Sequence, residues 1–228
     1  MSHRRGMDPG PPEPHSHALA SEDVIRFKVK AELRKRMRGV RKTAPLEACA
    51  ERSAKIIAVL EGHEAVLASK SAALFWPIIE RHEVDLRPFD VWLRARGVRV
   101  AYPSIDPDTG DMVFRFVGNT AELEDAGYGF AEPRKDAPMA AKGDIDVVIV
   151  PALAVDPTGH RIGYGAGYYD RTLPKYAPPA AAIAVAYDYQ LVAELPATPN
   201  DVRVGWVVTD QRAFDARGTS ESARAPQP

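Results

Sequence analysis

The stretch that most constrains this chain is Asp144-Ile145-Asp146-Val147-Val148-Ile149-Val150. Its last four residues are all apolar and β-branched, without the alternation of a strand that turns one face to water. Such a run suits a strand buried on both faces, and strands of that kind belong to parallel sheets covered by helices. Ala180 to Ala186 has the same character, and Val204 to Thr209 reads as one more strand. Upstream, Ser71 to Trp76 is a short apolar strand closed by Pro77, and Val98 to Tyr102 is a strand halted by Pro103. Met112 to Val117 alternates in the strand manner. Helical segments lie between them. Pro45 to about Leu60 turns Cys49, Ile56, Ile57 and Leu60 inward and stops at Gly62, Phe89 to Arg96 stops at Gly97, and Tyr168 to Tyr176 is a third. This order predicts an α/β fold, a three-layer sandwich with a mostly parallel central sheet flanked by helices. Ligands of such sheets bind beyond the carboxyl ends of the strands.

The 228 residues suffice for one sizeable core. Residues 1–20, rich in Pro, Gly, His and Ser, and residues 216–228 read as disordered tails, which leaves 21–215 as a single domain. Gly118 to Gly143 is irregular and long for a compact domain, a pattern usual in functional or mobile loops. A formal net charge of −1 gives no global field toward nucleic acid or membrane. The one cysteine, Cys49, excludes an intramolecular disulfide. No stretch approaches the ~20 apolar residues that span a bilayer. The early arginines lack the apolar segment of a secretory signal. A cytoplasmic monomer is the expectation.

The chemistry concentrates just after the first run. Pro151 leads to a turn at Asp156-Pro157-Thr158-Gly159, followed by Arg161-Ile162-Gly163-Tyr164-Gly165-Ala166-Gly167-Tyr168-Tyr169-Asp170-Arg171. Glycines at alternate positions let the backbone approach a ligand closely. Exposed amides ahead of a helix cradle anions. Arg161 and Arg171 can add charge-assisted bonds to phosphate oxygens, and Asp170 is a hard oxygen ligand suited to magnesium. The stretch lacks the Gly-Lys-Ser/Thr ending of a Walker A loop and the spacing of the dinucleotide fingerprint. From the glycines alone, a tight structural turn stands level with a phosphate site.

A second concentration lies near the start. Ser21, Glu22 and Asp23 mark a helix start, and Ile25, Val29, Leu33 and Met37 form one apolar stripe. Around it stand Arg26, Lys28, Lys30, Arg34, Lys35, Arg36, Arg38, Arg41 and Lys42, against Glu32 alone. This is a solvated face, a patch for nucleic acid or acidic membrane, or a local anion site. Lys30 and Arg34, four apart, share a face and can converge on one anion.

Taken as one ordered string, the strand, Pro151, Asp156, Gly159 and Arg161 to Arg171 closely resemble the signature of the 5-formyltetrahydrofolate cyclo-ligase family. Lys30-Ala31-Glu32-Leu33-Arg34 is similar to that family's N-terminal Lys-x-x-Leu-Arg, implicated in ATP binding, and stands in the right order. The resemblance covers roughly residues 26 to 210 and is dense only in places. It implies a three-layer α/β fold holding ATP and folate at the strand ends. It implies a reaction in which ATP, with Mg2+, activates the N5-formyl oxygen of 5-formyltetrahydrofolate. N10 then attacks the formyl carbon, and 5,10-methenyltetrahydrofolate, ADP and phosphate result.

The resemblance assigns ATP binding to Lys30, Arg34, Arg161, Ile162, Gly163, Tyr164, Gly165, Ala166, Gly167, Tyr168 and Tyr169. It assigns the metal to Asp170 and, through Pro199-Asn200-Asp201, to Asp201, which by itself reads as a turn residue. Folate contacts fall to Glu83, Trp76, Met112 and Tyr168. Trp76 and Glu83 stand further apart than in many relatives, so Glu80 competes with Glu83. Met112 suits core packing as well. Tyr168 and Tyr169 can also serve simply to anchor the helix. Ala166 replaces a frequent Gly or Lys, and Gly205-Trp206 stands where an acid is common. These departures leave room for a divergent paralogue that binds folate or nucleotide without turnover. A nucleic-acid-binding protein using residues 26–42 is the third reading.

Overall fold

The computed structural model describes residues 15–106, 108–125 and 130–218. In chain order its elements are α1 (His15–Thr43), α2 (Leu46–Glu61), α3 (Glu64–Leu67), β1 (Ser71–Ala73), α4 (Arg87–Ala95), β2 (Arg99–Ile105), β3 (Met112–Val117), β4 (Leu123–Asp125), β5 (Ala131–Pro133), β6 (Val147–Pro151), β7 (Ala154–Val155), β8 (Arg161–Ile162), α5 (Tyr168–Tyr176), β9 (Ala181–Val185), β10 (Trp206–Val208) and β11 (Ala213–Asp215). The main sheet has seven strands in the order β11-β10-β9-β6-β1-β2-β3. From β10 to β2 the neighbours run parallel, and β11 and β3 close the edges antiparallel. No helix among the described residues is long and apolar enough to cross a membrane.

The apolar run of β6 explains its place at the centre. Val147 and Ile149 pack with Ile56 and Leu60 of α2 and with Phe89 and Leu93 of α4. Val148 and Val150 face the other way, toward Leu173 and Tyr176 of α5 and Phe114 of β3. Both faces of the strand are therefore core, and each such side chain contributes roughly 1.5–3 kcal/mol by leaving water. This gives the three layers. Cys49 is buried in α2 as a small apolar side chain.

Several boundaries differ from the sequence expectation, among them β1, which ends at Ala73 rather than Trp76, and β6, which begins at Val147 rather than Asp144. The first helix begins at His15, six residues before Ser21, so 15–20 are helical; residues 1–14 and 219–228 of the expected tails lie outside the described residues. Pro103 does not halt β2, which runs on to Ile105. The Ala101 carbonyl faces β1, accepting from Leu74, and residue 103 faces the same side, where β1 has already ended. No ladder partner is lost by a residue without an N–H there. The long segment after Gly118 carries a small antiparallel hairpin, β4 with β5, although residues 126–129 of it are outside the described residues.

The strand order also fixes where a ligand can enter. From β1 the chain moves outward to β2 and β3, then returns to β6 on the other side of β1. The reversal leaves a crevice at the carboxyl ends of β1 and β6, where helices diverge to opposite faces.

Candidate active site

A cavity of about 780 Å³ opens at that crevice. Phe75 and Trp76 line it from the end of β1, and Pro151, Ala152 and Leu153 from the end of β6. Further walls come from α1, the loop before Glu83, β2 and β3, the stretch from Arg161 to Asp170 and the segment Thr198 to Asp201.

The β7–β8 hairpin sets the glycine stretch in place. Its turn is organised by Asp156, fully buried, whose Oδ1 accepts from the Thr158 amide and hydroxyl and the His160 amide. Oδ2 accepts from the Leu195 amide at 3.0 Å. Arg161 then projects from β8 under the Tyr169 ring and donates to Asp170 Oδ1 at 2.9 Å. Gly165 and Gly167 adopt φ of +110° and +70°, and Gly167 begins α5. The loop therefore presents its backbone ahead of a helix N-terminus, an arrangement that favours anions. Arg171 turns away: it donates to the Ala166 carbonyl at 3.0 Å, is exposed, and does not line the cavity.

Helix α1 lies across this loop, but not on the stripe its apolar residues suggest. Ile25 and Val29 are 58% and 43% exposed, and only Leu33 and Met37 of that stripe pack inward, against Leu153, Ala154 and Ile162. A four-residue spacing gains about 40° per step on a 3.6-residue helix, so the stripe drifts away from the wall. The inward face is instead Lys30, Arg34, Met37 and Arg41. Lys30 pairs with Asp201 Oδ2. Arg34 Nε donates to the Gly163 carbonyl at 3.0 Å. Arg41, 4% exposed, donates to the Tyr164 hydroxyl and stands 3.5 Å from Glu83. Lys28, Lys35, Arg36, Arg38 and Lys42 remain on the outer face.

Glu83 and Glu80 are separated by one backbone feature. Ile79–Arg81 is a single 3-10 turn, and His82 follows in the left-handed region at φ 52°. The reversal sends Glu80 to solvent and Glu83 inward. Glu83 Oε2 accepts from the Ile78 amide at 2.9 Å, and Oε1 from the Tyr164 hydroxyl at 2.5 Å. Glu83 lines the cavity and Glu80 does not. Trp76 stands edge-on to Tyr102, whose hydroxyl donates to the buried Asp90 at 2.8 Å. Met112 is both core and cavity wall.

Every residue that the resemblance assigns to ATP, folate or metal lines this one cavity, whereas Arg171 and the competing Glu80 do not. Arg41 was missed, although its spacing of seven from Arg34 and eleven from Lys30 puts it on the same helix face. Gln190 and Thr198 line the cavity too and carried no sequence signal.

Two electrostatic features show what the cavity is built to receive. Burial pulls the Arg161 guanidinium below its usual pKa, against the opposing charges of Asp170 and Asp201. Among the described residues its Nε is buried without a partner, and so is the Tyr169 hydroxyl, which burial raises in pKa and keeps protonated. Unpaired buried donors are costly, and a ligand rich in acceptors satisfies them. Burial opposes ionisation of Asp201, but Lys30 and the amide and hydroxyl of Thr198 outweigh it and hold the carboxyl below its ordinary range. Among the described residues, hydrogen bonds to Asp170 fall on Oδ1 and those to Asp201 on Oδ2. The opposite oxygens remain for a cation. Magnesium uses one or two carboxylates together with substrate phosphates, so this donor set fits it.

The family model for 5-formyltetrahydrofolate cyclo-ligases matches residues 26–210. The chain belongs to this family. Among cyclo-ligase relatives, the Mycolicibacterium smegmatis protein is 47% identical over 92 residues, which is 40% of this chain and 47% of that one. The Escherichia coli K12 cyclo-ligase is 32% identical over 136 residues, 58% of this chain and 75% of that one. The NMR structure of Aquifex aeolicus 5,10-methenyltetrahydrofolate synthetase superposes with a TM-score of 0.73 at 28% identity, covering 88% of this chain and 97% of that one. A Mycoplasma pneumoniae 5,10-methenyltetrahydrofolate synthetase shares the fold at a TM-score of 0.64 and 24% identity, over 79% and 98% of the two chains. The three-layer fold is thus the cyclo-ligase fold.

Proposed function

We propose that this chain converts 5-formyltetrahydrofolate and ATP into 5,10-methenyltetrahydrofolate, ADP and phosphate. The observation that carries the reading is convergence: the glycine stretch, Lys30 and Arg34, and Glu83 with Trp76 and Met112 wall one cavity at the switch point of the sheet. An amide oxygen is a poor leaving group, so the formyl oxygen is phosphorylated before N10 closes the ring and phosphate departs. Phosphoryl transfer needs positioning and charge neutralisation more than covalent help.

The residues divide the work. The backbone from Gly163 to Gly167 and the start of α5 hold the phosphates, with Lys30, Arg34 and Arg161 supplying positive charge. Asp170 and Asp201 would hold magnesium, which would supply neutralising charge to the transferring group. Glu83 accepts from the folate, Trp76 and Tyr168 bound its ring, and Met112 lies at the formyl end. The buried Cys49 agrees with a reducing cytoplasm. Lys30, Arg34 and Arg41 face the cavity rather than solvent, which weighs against a nucleic-acid surface on α1.

Absorbance-monitored conversion of 5-formyltetrahydrofolate, with and without Mg-ATP, tests the activity. Product formation only with Mg-ATP is expected; folate and nucleotide binding without turnover would identify a divergent paralogue instead. Replacing Glu83 by Gln is expected to raise KM for 5-formyltetrahydrofolate about tenfold or more, the scale of a hydrogen bond to a charged group. ATP affinity should hold, and Glu80→Gln should behave as wild type. The opposite ranking would reassign the folate contact. On α1, Lys30→Ala should weaken ATP binding about tenfold while Lys28→Ala changes it less than about twofold, although each removes one charge. Equal, salt-sensitive losses would indicate a diffuse field instead.

A further inference from the structure

Tyr164 belongs to two parts of the cavity at once. Its backbone lies in the glycine stretch, between Gly163, whose carbonyl is held by Arg34, and Gly165, in the positive-φ region. Its hydroxyl reaches across to donate to Glu83 Oε1 at 2.5 Å. Arg41 donates to the same phenol oxygen. A donor behind the oxygen polarises the O–H toward the carboxylate and strengthens the bond. The ring is fixed as well, with Arg41 and Arg81 guanidinium groups 5.6 and 5.2 Å from its centroid. Burial, and then the Glu83 charge, push the Tyr164 phenol up to about 12, so it stays a donor at neutral pH.

We propose that Tyr164 is a positioning residue that couples the two substrates: filling of the glycine stretch by nucleotide fixes the Tyr164 hydroxyl, and the hydroxyl fixes Glu83 for the folate. The idea rests on the functional reading above. Two glycines flank Tyr164, so the loop can adjust to phosphates, and any adjustment is transmitted through one short hydrogen bond. Glu83 keeps capacity for the folate, because a carboxylate accepts at about four lone-pair sites and Tyr164 and Ile78 take one on each oxygen. Coupling of this kind is reciprocal, so folate tightens nucleotide by the same factor.

The test is calorimetric titration of 5-formyltetrahydrofolate into wild type and Tyr164→Phe, each with and without a non-hydrolysable ATP analogue and magnesium. Phenylalanine keeps the ring and its packing, and an unchanged melting temperature verifies the fold. Wild type is expected to bind folate about tenfold tighter when the analogue is present. Tyr164→Phe is expected to lose most of that enhancement, whatever its affinity for the analogue alone. KM for folate should rise more than kcat falls. In a Glu83→Gln background, Tyr164→Phe should add no further loss, since the pathway runs through Glu83. The same enhancement in wild type and variant, or additive losses in the double variant, would overturn the coupling and leave the functional reading intact. A wild type that binds neither ligand would overturn both.

Discussion

Asp170→Asn should lower turnover by about a hundredfold or more, the scale of removing one electrostatic contact made to a transition state. Asparagine keeps the shape and one acceptor oxygen, so the Arg161 and Val202 donors retain a partner at the Oδ1 position. The other oxygen becomes an amide NH2, a donor that cannot ligate a cation. Raising magnesium should recover part of the activity, because a weakened site still fills by mass action. Some stability should also go, since Arg161 is buried and loses its nearest negative charge; Asp201 remains close enough to limit the fall. A helix-capping role predicts little change, as Asn caps about as well as Asp. The N-cap of α5 is Gly167, which already argues against that role. Full activity with ordinary magnesium dependence in Asp170→Asn would remove the metal assignment.

The second large effect concerns stability. At Gly159 the backbone has φ +85°, and an added Cβ would meet the Val204 carbonyl oxygen at 2.3 Å and the Ala216 Cβ at 3.0 Å. Relief requires the turn and the segment before β10 to separate, breaking the bond from the Val204 amide to the Gly159 carbonyl. Gly159→Ala should therefore cost about 3–5 kcal/mol, in the range of strained-backbone and overpacking changes. Gly97 supplies the comparison. It has φ +77° but open space around a Cβ, so Gly97→Ala carries the left-handed strain alone, about 1–2 kcal/mol. At about 2–4 °C per kcal/mol for a protein of this size, Gly159→Ala should melt roughly 10 °C low and Gly97→Ala only a few degrees low. Equal shifts in the two variants would show that the turn yields and that the close approach to Val204 is not rigid.

Much of this was legible in the residues, for reasons that differ from place to place. The strand at Met112–Val117 and the helix at Tyr168–Tyr176 have the expected ends, because turn residues or glycines bound them closely. β6 was evident because a strand covered on both faces cannot hide its composition. That these residues gather at one cavity was legible through glycine spacing and through the ordered resemblance to the cyclo-ligases. What failed was any feature decided by a distant partner. The stripe on α1 was misassigned because its inward face is chosen by Asp201, Gly163, Tyr164 and Glu83, none of them near in sequence. Pro103 misled because the strand beside it ends early, which no local pattern reveals. β11 was missed because Ala213–Asp215 is short and its one neighbour is β10.

The attachment of α1 bears on how the protein is made. Its partners Tyr164, Gly163 and Asp201 lie 123, 129 and 171 residues further along the chain. During synthesis the helix leaves the ribosome well before Tyr164, Gly163 and Asp201, which hold Arg41, Arg34 and Lys30. Contacts of such separation form late, after the entropy of the intervening chain has been spent. Until the segment around Asp201 is made, Lys30 lacks its acidic partner, at a time when nearby nucleic acid is abundant. The segment around Asp201 then does two things in one event: it pairs with Lys30 and adds its wall to the cavity, so the candidate site is complete only once that segment has been made.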